Sequence, residues 1–328
     1  MQDANKFEIH YYFNDDSHTM DAHLRNKCES ELLAIVHEMA LEFGITLRID
    51  CEAYTEGGFK DKWKLLGDNS NQLTILILLL TIILSRIPTS DNKLKKEETI
   101  LSIQEKRLNI EKLKKELETG KPNDETILSA ADAVDNNLKV VARRSNFYKS
   151  VTHCHKIRSV GFSCLDNNNL VTKELVVERP EFHKFILHSN DMQPLVYDDA
   201  KVEIISPVLR QGDYKWRGIF NGEPISFSMT DTDFKHDVLL KKISFQNGTV
   251  IECVLKVNQK LNEVGDVIPV NYRVETVLEK IDGDVRFQTV QGKRCKFLKK
   301  EMASQGNLFP ENTGTRSSEP GSSPTKKD

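Results

Sequence analysis

From Leu73 to Leu84 the chain reads Leu-Thr-Ile-Leu-Ile-Leu-Leu-Leu-Thr-Ile-Ile-Leu, the one run in an otherwise polar sequence that puts apolar side chains on every side of a helix. Such a run cannot face water, so a fold must bury it in protein or give it to a bilayer. Polar residues Asp68 to Gln72 precede it. Ser85-Arg86-Ile87-Pro88 closes it, proline stopping a helix and arginine suiting a lipid headgroup or a protein rim. As a helix the run is about 18 Å long at 1.5 Å per residue, against roughly 30 Å of hydrocarbon. That length favours a buried core helix. The missing polar face, relieved only by Thr74 and Thr81 on one side, favours a membrane helix completed by neighbouring copies. The expectation taken forward is a membrane-active segment carried by Leu73, Ile75, Leu76, Leu79, Leu80, Ile82, Ile83 and Leu84, working as a homo-oligomer.

The flanking sequence has ordinary globular texture, and 328 residues suffice for two or three cores. Phe7 to Phe13 alternates as a strand, a helix runs from about Met20 to Phe43 with Gly44 ending it, and Ile45 to Tyr54 follows as a second strand. This predicts a β-α-β unit with parallel strands. Lys93 to Glu118 is amphipathic with coiled-coil leanings, and Ile127 to Tyr148 repeats apolar residues at steps of three and four. The two should pair as an antiparallel helical hairpin. From Ile157 onward strands predominate, among them Phe182 to Leu187 and Ile243 to Gln246, with turn signals at Asn221-Gly222 and Asn247-Gly248 and a short helix near Phe234 to Lys241. The fold class expected is a multidomain α+β protein. Residues 1–70 form an α/β domain, 71–92 the apolar segment, 93–156 a helical connector, 157–298 a β-rich sandwich or barrel-like domain that binds a signal, and 299–328 a disordered tail.

A net charge of −3 argues against a general nucleic-acid binder but leaves room for a local basic pocket. The start of the chain lacks a signal-peptide core, and six scattered cysteines without a CxxC pair read as reduced cytosolic thiols. The densest basic run is Arg143, Arg144, Lys149, His153, His155, Lys156 and Arg158, interleaved with Phe147 and Tyr148. Guanidinium and aromatic faces together suit a phosphodiester with stacked bases. Lys215-Trp216-Arg217 is a second such cluster, with Trp216 expected as a core or hairpin residue and not as a base platform. The ligand-binding candidates are therefore Arg143, Arg144, Lys149, His155, Arg158, Lys215 and Arg217. His18, Asp21 and Glu56 could handle protons, but helix capping and a Gly-Gly turn explain them as well. His153-Cys154-His155 with Cys164 matches no zinc pattern, since neighbours on a strand point to opposite faces. No phosphate-binding glycine loop, nucleophile elbow or paired-acid motif is present, so neither catalytic residue, metal nor cofactor is expected.

Phe7 to Phe13, Ser17-His18-Thr19-Met20-Asp21-Ala22, Asn26-Lys27-Cys28-Glu29, Glu56-Gly57-Gly58, the apolar run and Arg144-Ser145-Asn146-Phe147-Tyr148-Lys149 together resemble the transmembrane effectors of the bacterial Hailong antiphage system. The resemblance implies a self-assembling, ion-channel-like abortive-infection effector that permeabilises the bacterial inner membrane. It would be restrained by a short DNA oligomer or nucleotide signal made by a partner nucleotidyltransferase. It could stand as a soluble cytoplasmic complex before activation. Only Leu73 to Ile87 carries over, as the segment that enters the lipid bilayer. The alternative is a soluble oligomeric scaffold or sensor whose apolar helix is buried in a subunit interface.

Overall fold

The computed structural model describes residues 4–15, 19–52, 59–88, 111, 115, 124–166 and 168–306. Two compact units emerge, one of Met1–Leu195 with Asn258–Val270, the other of Val196–Val257 with Asn271–Asp328. The chain therefore passes into the second unit, returns for one hairpin tip, and leaves again.

The first unit is built on a sheet of six strands: β1 (Lys6–Phe13), β2 (Arg48–Cys51), β3 (Phe59–Leu66), β4 (Ile157–Asp166), β5 (Asn169–Leu170) and β6 (Leu175–Glu178). Their order is β2-β3-β1-β4-β5, with β6 also beside β4. β1 and β2 do run in the same direction, as the sequence predicts, but they are not neighbours. β3, which sequence reading misses, lies between them and pairs antiparallel with both. β4 to β6 also belong here and not to the β-rich half, so the expected boundary at residue 157 moves to Leu195. Phe182 to Leu187 forms no strand; Arg179–Phe185 is a 3-10 helix with a proline in its first turn.

On one face of this sheet, Phe7, Ile9, Trp63, Val160 and Phe162 meet the apolar sides of α1 (Ala22–Phe43), α2 (Ser70–Ser85), α3 (Asp124–Val134) and α4 (Leu138–His153) in a single core. α1 starts where Asp21 accepts the amide of Leu24 at 2.8 Å and stops at Gly44, whose φ of +69° is left-handed. The opposite face is polar. Glu8 sits between Lys60 and Lys62 at 2.9 and 3.2 Å, and Tyr12 donates to Glu174 at 2.7 Å.

α2 overturns the central expectation. Leu73, Ile75, Leu76, Leu79, Leu80, Ile83 and Leu84 are all buried within this one chain, and Leu78 and Ile82 pack partly against the same core. The two threonines face the sheet, not a partner helix. Thr74 Oγ1 accepts from the Ala4 amide at 2.8 Å and donates to its carbonyl, while Thr81 Oγ1 lies 3.0 Å from Cys164 Sγ on β4. Among the described residues no helix is long and apolar enough to cross a membrane. The bilayer-active segment is thus corrected to a central core helix. Its all-round hydrophobicity reflects a sheet on one side and helices on the others.

The expected helical hairpin cannot be drawn, because 93–118 lies outside the described residues save positions 111 and 115. Its second half is two helices, not one. The helical path is interrupted between Asp135 and Asn137, where Asn137 caps α4 by accepting from Lys139 and Val140 amides.

The second unit holds a closed five-strand barrel, a form of the β-rich domain expected. It comprises β7 (Leu195–Ser206), β8 (Trp216–Phe220), β9 (Glu223–Met229), β10 (Val250–Leu261) and β11 (Val267–Asp282), ringed in the order β10-β7-β8-β9-β11 with β10 pairing back to β11. α5 (Thr232–Leu239) lies between β9 and β10 in sequence. β12 (Val285–Gln288) pairs outside the ring on β11, and α6 (Val290–Gly306) follows. Trp216, as expected, is core, ringed by Phe227, Phe234 and Phe245. Asn221 and Gly222 take the positive φ that a tight β8–β9 hairpin demands. Ile243 to Gln246 forms no strand, so Asn247-Gly248 joins none to β10. The tail expected to be disordered from 299 is helical to Gly306, and 307–328 lies outside the described residues.

Candidate anion-binding cleft

α1 packs along α4, and beside them a cleft of about 430 Å³ opens within the first unit. Lys27 and Glu31 come from α1, one turn apart on one face. Arg143, Asn146, Lys149 and His153 come from α4 at steps of three, three and four, again one face of a helix. The segment after the 3-10 helix adds Leu187 and Asn190, and the hairpin tip between β10 and β11 closes the remaining side with Leu261 to Val264. The volume falls in the range of small-molecule sites.

The walls are tied together by specific bonds. Arg143 Nη1 donates to Glu31 Oε2 at 3.1 Å, joining the two helices. Asn146 Nδ2 donates to the Glu263 carbonyl at 2.8 Å, and the Leu261 amide donates to the Asn190 carbonyl at 2.9 Å, so both anchor the hairpin tip. The Leu187 amide donates to Ser145 Oγ at 2.9 Å. Gly265, at φ +86°, lets the tip lie on the start of α4: a Cβ there would stand 2.5 Å from Lys139 Cα. His153 Nδ1 lies 2.5 Å from the Lys149 carbonyl, which as an acceptor calls for a proton on Nδ1 and leaves Nε2 as the outward nitrogen.

Charge on the walls is mixed. Arg143 spends one N–H on Glu31, and Glu263 lies on the rim. Lys27 and Lys149 are exposed and make no ion pair among the described residues. Two uncommitted ammonium groups, an arginine edge and an imidazole around one cavity offer donors suited to an oxyanion or phosphate.

The basic run divides by helical phase. Arg143 and Lys149 are brought together here with His153. Arg144 points the other way: it is 1% exposed, its Nη1 donating to Asp135 Oδ1 at 2.7 Å and to the Ile83 carbonyl at 2.9 Å. Tyr148 donates to the Leu84 carbonyl and stacks on Phe185, and Phe147 is equally buried, so neither aromatic offers a stacking surface. Arg144 and Tyr148 thus satisfy the last carbonyls of α2. His155 and Arg158 are exposed past the end of α4 and line no part of the cleft, and Lys215 and Arg217 belong to the other unit. Lys27 and Glu31 were missed. Their spacing on the amphipathic helix was legible, but nothing local indicated that α4 would lie alongside.

The remaining candidates do not assemble. Asp21 is the cap of α1, and His18 and Glu56 lie outside the described residues. No group of three histidine, cysteine or carboxylate side chains among the described residues could hold a metal. Burial pushes the thiols of Cys28 and Cys253 up to about 12 and raises that of Cys164, which removes their nucleophilic character near neutral pH.

The chain matches no known protein-family model, and no curated protein or solved structure proved similar to it. Any functional reading therefore stands on the site itself.

Proposed function

We propose that the protein is a ligand-responsive binding protein whose α/β unit holds a phosphate-bearing ligand of nucleotide size between α1 and α4. The observation carrying this reading is the convergence of Lys27, Arg143, Lys149 and His153 on one cleft of about 430 Å³. The ammonium groups meet the phosphate charge, and the Asn190 side chain hydrogen-bonds a sugar or base edge. No residue in the cleft has the paired geometry of a nucleophile and its base, so the role is recognition. This accords with the nucleotide signal implied by the Hailong resemblance, which supplies the ligand class and nothing more. Membrane disruption is not part of the reading. It would require α2 to leave its core, and eight of its aliphatic side chains are buried there.

The test is calorimetric titration of the full chain with ATP, GTP and dTTP, repeated on Lys27→Glu/Lys149→Glu. Charge-assisted bonds are worth about 1.5–3 kcal/mol each, so the double variant should bind at least about tenfold more weakly with an unchanged melting temperature. Absence of binding to every nucleotide, or binding indifferent to both substitutions, would overturn the proposal.

A further inference from the structure

Outside the barrel ring, β12 adds one short strand to β11, Val285-Arg286-Phe287-Gln288. The turn before it has two residues, Gly283 and Asp284, with Gly283 at φ +58°, so Asp282 and Val285 close the hairpin as a hydrogen-bonded pair. Alternation then turns the backbone groups of Val285, Phe287 and Thr289 towards β11, and the Thr289 amide does donate to the Leu278 carbonyl, at 3.1 Å. The backbone N–H and C=O of Arg286 and Gln288 consequently face the other way. No strand pairs with β12 on that side among the described residues.

The side chains along this edge are apolar and exposed. Val285 and Phe287, on one face of β12, are 68% and 53% exposed, and Val290 just beyond them is exposed as well. Bare edges are ordinarily guarded by charge, proline or a covering segment. The one charged guard on β12 is Arg286, whose guanidinium leans towards Glu279 at 3.4 Å. α6 follows at once and exposes Lys293 and Arg294 within its first turns, neither in an ion pair among the described residues. From Asp284 to Glu301 a chain of net charge −3 carries six cationic residues against two acidic ones. The neighbouring carboxylates do not cancel this charge: Glu279 is shared by Arg286 and Lys296, Asp282 holds Lys280, and Asp233 at the start of α5 is exposed and pairs with none of these cations.

An open backbone edge, an apolar face and a basic flank restrict what fits. A bilayer would answer the cations but leave the edge N–H and C=O groups unsatisfied in lipid. A second copy of the chain would set its own Arg286, Lys293 and Arg294 against these. Only an extended polypeptide carries backbone donors and acceptors at strand spacing, with side chains that alternate between the two faces. We infer that β12 is the docking edge for an extended acidic segment of a partner protein, which adds to it as a further strand. The partner's backbone pairs with Arg286 and Gln288, its apolar side chains cover Val285 and Phe287, and its carboxylates meet Arg286, Lys293 and Arg294.

The experiment is fluorescence anisotropy of a rhodamine-labelled peptide, Glu-Val-Glu-Phe-Glu-Val-Glu, titrated with the full chain. The peptide should bind saturably. Lysine in place of every glutamate should weaken binding at least about tenfold, and so should N-methylation along the backbone, which removes the amide donors and keeps the side chains. Arg286→Glu/Arg294→Glu should weaken the acidic peptide at least about tenfold and Phe287→Ser about fivefold, with unchanged thermal melts because these sites are exposed. Arg286→Lys/Arg294→Lys should retain binding. Lys27→Glu/Lys149→Glu should leave it intact, which separates the inference from the nucleotide cleft. No binding of the acidic peptide, equal binding of its lysine or N-methyl forms, or wild-type affinity in Arg286→Glu/Arg294→Glu would overturn the inference. So would a dimer in sedimentation that this double variant abolishes, or phosphatidylglycerol vesicles or a thymidylate dodecamer held by these residues while the peptide is not.

Discussion

Arg143 and Arg144 are adjacent in sequence and opposite in role, because 100° of helical turn sends one to the cleft and the other into the core. Arg144 and Asp135, at 1% and 0% side-chain exposure, form an ion pair that Arg86 completes from the end of α2 at 2.7 Å. Removing Asp135 leaves the buried Arg144 guanidinium without its counter-charge, so Asp135→Asn should lower unfolding free energy by about 3–5 kcal/mol in urea melts, whereas Arg143→Met, at a half-buried site, should cost about 1 kcal/mol or less. His10 on the polar face of the first sheet gives a pH signature. Burial, reinforced by Lys60, lowers its pKa below the usual 6.5, against a smaller upward pull from Glu174 and Glu8. Between the folded and unfolded pKa values the unfolded chain binds more protons, so the contribution of His10 is complete above about 6.5 and is lost as pH falls below it. Acidification from about pH 7 to 5 should therefore destabilise the wild type more than His10→Asn. Equal losses in the two proteins would remove His10 as the cause. In the sequence, the seven basic residues of the run looked equivalent; only helical phase and the location of Asp135 separate them.

Among the elements, α2 decides the most. Its composition required burial, and it lies in the core of a single chain with Asn69 capping its start and Arg144 and Tyr148 binding its final carbonyls. Leu79, fully buried, should cost about 2–5 kcal/mol as Leu79→Ala, and Ile82→Ala, at a partly buried position, clearly less, both read from denaturant midpoints. A lipid-facing helix would give the reverse, with little change in the stability of the folded chain. The break between α3 and α4 was hidden for a different reason. The apolar steps of four and three continue from Val134 through Leu138 as if no turn intervened, yet Asn137 caps a new helix there. A hydrophobic period records which faces are buried, and two short helices packed on one core keep the same period as one long helix.

At the scale of the molecule, the two units alternate along the sequence, and a cleft wall between α1 and α4 is delivered by residues 258–270 of the first unit, far along the chain. Gly265 is where that wall meets α4. Gly265→Ala forces a side chain into a left-handed backbone and against Lys139, so it should cost about 1–3 kcal/mol and weaken nucleotide binding several-fold in the same calorimetric assay. Binding unaffected by that change would show that the hairpin tip is no part of the site.

What the amino-acid order determined by itself is local. The length and phase of α1, its stop at Gly44, the Asn221-Gly222 turn, the barrel strands and the demand that Leu73 to Leu84 be hidden from water all follow from side chains a few residues apart, whereas the start of α1, expected to be capped by Ser17 or Thr19, is capped by Asp21. Tertiary structure alone decided which surface hides that helix, that β3 intervenes between β1 and β2, that β4 to β6 complete the first sheet, and which cations are left free. Strand alternation and helical period specify a face but not its partner. Partners are chosen by long-range packing, in which a sheet and three helices compete for the same apolar surface and only the assembled core settles the outcome.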